Sequence, residues 1–195
     1  MSRDQPRDRR VQKTERLLRD ALGSLIHEKS YESIAVREIL ERANVGRSAF
    51  YAHFSDKDAL LVAGIRQTLS ELPSRPLPPS AHRLTAFVWF SHGLFEHIES
   101  VRHAGTAMKS KKGRAIVHHH LRRVLLETVA DTFRRRALAG GSRVPPDLLA
   151  EYVVSTFLMV LSWWVESGSA LSPREVDDVF LSLVLPTLAT TAGTQ

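Results

Sequence analysis

The sequence predicts an all-α protein in which a small N-terminal domain of three helices precedes a larger helical body, with about nine helices in total. Three observations support this fold class. Apolar residues recur at helical spacing between clusters of glycine and proline. No segment alternates apolar and polar residues between hairpin turns, as a β-sheet would require. Residues 33–60 contain two short helical patterns joined by a tight turn with a glycine, which is the layout of a helix-turn-helix.

The composition of the chain limits its domain number, its partners and its chemistry. The chain has 195 residues, 43% of them hydrophobic, which is enough to bury a core in one domain or in a small domain fused to a larger one. The formal net charge of +6 favours nucleic acid or another anionic surface as a partner. The absence of cysteine excludes disulfides, thiolate zinc sites and cysteine nucleophiles. The charged N-terminal stretch lacks the apolar region of a secretory signal, and we expect a cytoplasmic protein.

The first four helices are predicted from their apolar spacing and their caps. Asn44-Val45-Gly46 interrupts the pattern, because Asn and Gly both tolerate turn conformations. Ser55 or Asp56 provides an N-cap for the fourth helix. We expect helices at about 10–28, 36–43, 47–53 and 56–72.

The body of the protein follows a proline-rich loop at residues 72–80, where no helix can continue. Ser172, Pro173 and Glu175 form a strong helix start, with a capping serine and a proline in the first turn. The apolar run Tyr152–Val165 is shorter than the roughly 20 residues that a membrane span needs, so it is predicted to be a buried helix. We expect helices at about 81–99, 101–110, 114–138, 147–167 and 173–190.

The second helix of the helix-turn-helix carries side chains suited to a DNA groove. Ser48 and Ala49 are small and allow close approach, and Arg47 can reach a guanine edge or a phosphate. Phe50 and Phe54 are four residues apart and are expected to pack inward. Three further polar side chains are expected to contact phosphates: Tyr51, His53 and Lys57, the last in the first turn of the next helix.

This stretch resembles the tetracycline-repressor (TetR) family. The matching segments are Val36-Arg37-Glu38-Ile39, Ala43-Asn44-Val45-Gly46, Phe50-Tyr51-Ala52-His53-Phe54 and Ser55-Asp56-Lys57-Asp58-Ala59-Leu60. The resemblance implies a DNA-binding domain at residues 1–60 and an effector-binding and dimerisation domain at 61–195. It implies DNA contacts at Arg37, Arg47, Ser48, Ala49, Tyr51, His53 and Lys57. No enzymatic role, cofactor or metal site is expected.

Two residues depart from the family pattern. Ala35 stands where a threonine hydroxyl usually caps the helix that begins at Val36, so the cap must come from Ser33 or be absent. Asn44 replaces a glycine before the turn, and Asn is still able to adopt the left-handed conformation. We expect neither change to alter the fold.

The body carries the finer functional predictions. The last two helices are apolar on more than one side, which requires a second surface to cover them and indicates a homodimer. The resemblance implies that the dimer binds a palindromic operator on double-stranded DNA and that a small-molecule effector releases it. Five aromatic residues either line an effector pocket or form plain core: Phe87, Phe90, Phe95, Phe157 and Trp164.

Two further segments of the sequence are rich in basic side chains. The N-terminal arm is either a minor-groove contact or a solvated tail; its cations are Arg3, Arg7, Arg9, Arg10 and Lys13. The run His118–His120 is interpreted as a polar helix face, because consecutive helical residues point about 100° apart and do not converge on one metal.

Two alternatives to a ligand-released repressor stay open from the sequence. One is a helical interaction protein whose helix-turn-helix no longer binds DNA. Against it stands the polar set on the second helix, which a simple bundle does not need. The other is a DNA-binding regulator without a small-molecule effector, or an activator, and the sequence does not separate it from the leading interpretation.

Overall fold

The computed structural model describes residues 5–73, 76, 84–102, 111–137 and 144–192. The regular elements in these ranges are helical, as predicted. The chain divides into two compact units, which are described separately. The first unit comprises Met1–Thr68 and Val101–His120, and the second comprises Leu69–Ser100 and Leu121–Gln195.

The first unit contains the predicted helix-turn-helix. Its elements are α1 (Gln5–Glu28), a 3-10 turn (Tyr31–Ser33), α2 (Val36–Ala43), α3 (Arg47–Tyr51) and most of α4 (Lys57–Glu71). The bounds of α2 agree with the prediction at both ends. Helix α1 begins at Gln5 rather than near Arg10, so part of the predicted N-terminal arm is helical. Arg3 lies outside the described residues.

The core of the first unit is built from one face of α1. Leu18, Leu22 and Leu25 are buried there, at the helical spacing seen in the sequence. Ile39 from α2 and Phe50 from α3 are completely buried against this face. Short helices bury little surface each, so this unit depends on shared burial between them.

The turn between α2 and α3 is set by Asn44. Its φ of 50° and ψ of 47° are left-handed, as expected for an asparagine at this position. The amide of Val45 donates to the carbonyl of Leu40 at 3.1 Å, which satisfies a carbonyl in the last turn of α2. This turn directs the chain into α3.

The described part of the second unit contains two shorter helices followed by three helices of 20 residues or more. They are α5 (Thr85–Val88), α6 (Ser91–Arg102), α7 (Lys111–Ala137), α8 (Pro146–Glu166) and α9 (Pro173–Ala192), with the start of α7 belonging to the first unit. The predicted helix 81–99 is interrupted at Trp89 and Phe90. Most of the predicted helix 101–110 lies outside the described residues. Helix α9 starts where predicted, with Ser172 and Glu175 bonded reciprocally.

An aromatic cluster fills the second unit. The rings of Phe90, Phe95 and Phe180 lie 4.8–5.6 Å from the ring of Phe157, and the Trp164 ring lies 5.8 Å from Phe95. All five side chains are completely buried. The Trp164 indole N–H donates to the carbonyl of Leu171 at 2.9 Å, so its polar atom is satisfied.

Gly93 in α6 allows a close approach to the residues that follow α4. A Cβ on Gly93 would lie 2.9 Å from both the Leu72 Cβ and the Pro73 carbonyl oxygen, so only glycine allows this close approach.

Helix α8 is the one described helix long and apolar enough to cross a membrane, but 56% of its most apolar window is buried inside the structure. A buried core helix passes the same test, in agreement with the prediction for this segment.

Candidate nucleic-acid interface

Helix α3 exposes the polar side chains that the sequence singled out. Arg47, Ser48 and Tyr51 are exposed, and Ala49 is half-buried. The Arg47 guanidinium carbon lies 5.5 Å from the centroid of the Tyr51 ring, in the geometry of a cation–π contact. The two side chains therefore form one contiguous surface on α3.

The opposite face of α3 holds the helix in place. Phe50 is completely buried and Phe54 is nearly so, and their ring centroids lie 5.9 Å apart. The Phe54 amide donates to the Phe50 carbonyl at 2.9 Å, just beyond the end of α3. The inward packing predicted for this pair is confirmed, and it anchors a helix of only five residues.

Arg37 lies on α2 with its side chain 84% exposed. Its Nε is 3.2 Å from a carboxylate oxygen of Glu41, one turn along the same helix. An exposed pair of this kind contributes little to stability, because solvent screens it. The guanidinium is accessible for a phosphate contact.

His53 is less accessible than predicted from the sequence. Its side chain is only 18% exposed, and its Nδ1 lies 3.6 Å from a carboxylate oxygen of Glu15 on α1. The imidazole thus faces α1 on one side. Its other ring nitrogen is the atom that a phosphate contact would have to use.

Lys57 sits in an internal cage rather than pointing away from the unit. Its Nζ donates to the carbonyl oxygens of Tyr31 and Ile34 at 2.9 Å each and of Glu32 at 3.3 Å. The ammonium also lies 4.6 Å from the centroid of the Tyr31 ring. Burial lowers the pKa of Lys57.

The start of α2 lacks a capping hydroxyl. Ala35 occupies the N-cap, and the Ser33 hydroxyl instead donates to the Ser30 carbonyl at 2.7 Å. The Glu38 carboxylate accepts the Ala35 amide at 2.9 Å, which is the reciprocal half of a capping box. Lys29 also donates to this carboxylate and, together with the amide, lowers the pKa of Glu38.

A second polar tie, which no motif in the sequence indicated, joins α2 to α1. The Arg42 guanidinium forms a two-pronged pair with Glu28, one prong of which is 2.8 Å, and also donates to the Ser24 hydroxyl at 2.7 Å. Arg42 lowers the pKa of the Glu28 carboxyl. Glu28 and Arg42 are fourteen positions apart in the chain, and no local pattern in the sequence indicates their pairing.

The aromatic residues proposed for an effector pocket pack into the core. Phe90, Phe95, Phe157 and Trp164 belong to the aromatic cluster, and Phe87 stacks on Phe133 with ring centroids 4.1 Å apart. A cavity of about 10 Å³ lies elsewhere in the second unit and has none of the five in its lining. It has room for about one water molecule.

The predicted polar face at His118–His120 is only partly exposed. His118 and His119 are exposed, whereas His120 is 8% exposed and faces Asp58. Within the described residues, no group of three or more histidine or acidic side chains is close enough together to hold a metal ion. His120 is therefore a packing residue of the first unit.

Comparison with known proteins agrees with this geometry. Residues 18–63 match the family model described as bacterial regulatory proteins, tetR family. A segment of 66 residues is 33% identical to the uncharacterized HTH-type transcriptional regulator YxbF of Bacillus subtilis (strain 168). That segment is 33% of this chain and only 17% of the relative.

The fold extends the likeness beyond the helix-turn-helix. A TetR transcriptional regulator from Streptococcus agalactiae 2603V superposes with a TM-score of 0.56, over 93% of this chain and 98% of that one. The two sequences are 23% identical, so this likeness concerns the fold. Residues 18–63 therefore resemble the tetR family of bacterial regulatory proteins, and over most of the chain the likeness is one of fold.

Proposed function

We propose that the protein is a cytoplasmic, dimeric repressor that binds a palindromic operator and is released by a small-molecule effector. The observation that carries the DNA-binding part is the exposed surface of Arg47, Ser48 and Tyr51 on a helix anchored by buried Phe50. A helix held this way presents its outer side chains in a fixed orientation, as major-groove reading requires.

The contacts divide into one reader and several anchors. Arg47 is the proposed base contact, because a guanidinium bonds to two acceptors of guanine at once. Ser48 and Ala49 allow the backbone to approach the groove. Arg37, Tyr51 and His53 are proposed to contact phosphates, which position the protein without reading sequence. Lys57 is left out of this set, because its ammonium is bonded to three internal carbonyls.

The dimer is proposed to form through α8 and α9. Met159 and Trp163 on α8 and Leu183 on α9 are 45–59% exposed, although the opposite sides of both helices are buried. Trp163 and its neighbour Trp164 face different ways, one exposed and the other completely buried. Large apolar side chains exposed on two neighbouring helices favour coverage by a second copy, which would also match a two-fold operator.

The effector is proposed to bind within the second unit. What supports this part is the family resemblance together with the aromatic character of the interior. Because the five predicted aromatic residues lie in packed contacts, a ligand among them would have to separate rings that now touch. A thermal-shift screen of small apolar and cationic compounds tests this, since a ligand of the folded state raises the melting midpoint.

The DNA-binding proposal is tested by selection of bound fragments from genomic DNA. The wild-type protein is expected to enrich one palindromic site, and Arg47→Ala should weaken that binding by about 1–3 kcal/mol and relax the preference at one base. Arg123→Ala is the control, because Arg123 is an exposed arginine of the second unit and its loss changes the net charge equally. Failure of the wild type to enrich any palindrome would contradict the proposal.

The dimer is tested by light scattering at micromolar concentration. Trp163→Asp is expected to convert the dimer to a monomer, because it places a charge in the proposed interface. Tyr51→Asp is a matched control: Tyr51 is 48% exposed and Trp163 is 47% exposed, but Tyr51 lies on α3. A monomeric wild type, or equal effects of the two variants, would rule out this interface.

A further inference from the structure

We propose that Lys57 is a positioning residue, which with Tyr31 and Asp58 forms a brace that holds the start of α2 against the start of α4. These three residues are called the brace below. Lys57 and Asp58 are the first two residues of α4, and Tyr31 begins the turn that leads into α2. The brace therefore connects segments that are 26–27 residues apart in the chain.

The lysine end of the brace uses the whole ammonium group. An ammonium has three N–H donors, and the Lys57 Nζ has three carbonyl acceptors, of Tyr31, Glu32 and Ile34. The Tyr31 ring covers another side of the same group. A phosphate contact would require Lys57 to leave this cage and would remove a charged donor from three carbonyls at once.

Tyr31 also contacts Asp58, the residue of α4 that follows Lys57. Tyr31 is 1% exposed, and its hydroxyl donates to the Asp58 carboxylate. Burial and this carboxylate both raise the pKa of Tyr31, so the hydroxyl keeps its proton as a donor. One aromatic side chain thus contacts the ammonium with its ring and the carboxylate with its hydroxyl.

The segment held by the brace leads directly into the reading unit. Ile34 accepts from Lys57, Ala35 is the N-cap of α2, and α2 has no capping hydroxyl of its own. The position of the α2 N-terminus therefore depends on the hydrogen bond from Lys57 of α4 as well as on the Glu38 carboxylate. Because α2 turns through Asn44 into α3, the brace helps to orient the helix that carries Arg47.

The brace also has a contact with α7. The His120 Nε2 lies 3.7 Å from the second carboxylate oxygen of Asp58. His120 is buried, and Ile116 and Val117 of the same helix pack on the core of the first unit. The position of Asp58 therefore depends on both the α1–α2 turn and the first part of α7.

The experiment compares Lys57→Arg with Lys57→Met in the full-length protein. A planar guanidinium binds phosphate well but does not fit a cage of three carbonyls beneath an aromatic ring. The brace predicts that both variants lower the melting midpoint of the DNA-free protein by about 4–8 °C. It also predicts that Lys57→Arg and Lys57→Met weaken operator binding to the same extent as each other. Lys112→Met is the control, because it removes an exposed lysine of the same unit.

If Lys57 were a phosphate anchor, Lys57→Arg would keep operator affinity and the midpoint, and Lys57→Met would lower the salt slope of binding by about 0.9 without changing the midpoint. Tyr31→Phe provides a milder variant that keeps the ring and loses only the bond to Asp58. It should lower the midpoint less than Lys57→Met does, and an unchanged midpoint would remove Asp58 from the brace.

The inference rests on the proposed function only where it concerns operator binding. The melting midpoint of the free protein requires no DNA and tests the brace by itself. Failure of the wild type to enrich a palindrome would contradict the proposed function, whereas an unchanged midpoint for Lys57→Met would contradict the brace.

Discussion

The contacts that stabilise the first unit internally differ in kind from those that stabilise the second. In the first unit, the short helices α2 and α3 share an apolar core with α1, and polar ties such as Arg42 to Glu28 and Lys57 to three carbonyls join the elements. In the second unit, long helices enclose a cluster of aromatic rings. A helix of five to eight residues buries too little surface to fix its own orientation, and directional polar contacts supply the difference.

This difference explains where the functional signal lies in the sequence. The short helices and the tight turn of the first unit need particular residue types at particular positions, such as Asn44, Phe50 and Phe54, so this unit has a motif that can be identified. An aromatic core accepts many arrangements of similar volume, so the second unit has no comparable signature. The family model accordingly matches residues 18–63 only, whereas the likeness over most of the chain is a likeness of fold.

The largest effect is expected from the centre of the aromatic cluster. Phe157→Ala should destabilise the second unit by about 3–5 kcal/mol, because it leaves a cavity where three other aromatic rings meet. All three tryptophans lie in this unit, so tryptophan fluorescence during urea unfolding reports on it directly. Leu148→Ala is the control, since Leu148 lies on the same helix but is 57% exposed.

The same variant tests the comparison between the units. Far-ultraviolet circular dichroism followed through the same titration includes the helices of the first unit. If that unit has its own polar ties, part of the helical signal should persist beyond the fluorescence transition of Phe157→Ala. Coincident transitions would show instead that the two units unfold as one.

A smaller effect of opposite sign is expected at the missing cap of α2. Ala35→Thr should stabilise the protein by about 0.5–2 kcal/mol, because the new hydroxyl can accept an amide in the first turn of α2. The urea midpoint measures the change. Ala115→Thr is the control on an exposed helical position, where threonine should be slightly unfavourable. A midpoint that stays unchanged or falls for Ala35→Thr would show that the new hydroxyl does not cap the first turn of α2.

The smallest effect concerns acid stability. The amide of Ala59 donates to the Asp56 carboxylate at 2.7 Å and lowers the pKa of Asp56 from its ordinary value of 3.8. The unfolded chain then binds the proton more tightly, so this contribution is present above the ordinary pKa and is lost as the pH falls through the lowered value. Asp56→Asn keeps a capping oxygen and should make the urea midpoint fall less steeply between about pH 5 and pH 3.

The control for this measurement is Asp20→Asn, at an exposed carboxylate of α1. It should leave the acid dependence of the wild type in place. An equally steep decline in Asp56→Asn and wild type would show that the cap of α4 has no part in acid stability.

Local patterns in the sequence predicted helices α1 to α4, although α1 begins five residues earlier than predicted and the 3-10 turn before α2 was not foreseen. The apolar spacing of α1, the turn at Asn44 and the inward pair Phe50 and Phe54 involve neighbours within one or two helical turns. The reciprocal cap at Ser172 and Glu175 was predicted for the same reason. Such features are determined by backbone geometry over a few residues, so the order of residues defines them.

The sequence by itself determined the all-α class, the position of the helix-turn-helix and the residues that α3 exposes. Only the tertiary structure decided which way ambiguous side chains turn. Lys57 has the position of a phosphate anchor in the sequence, but Tyr31, 26 residues away, gives it an internal cage. His53 faces Glu15, and His120 is buried against Asp58 although its neighbours His118 and His119 are exposed. A cation binds the nearest set of acceptors, and folding brings those acceptors together from distant parts of the chain.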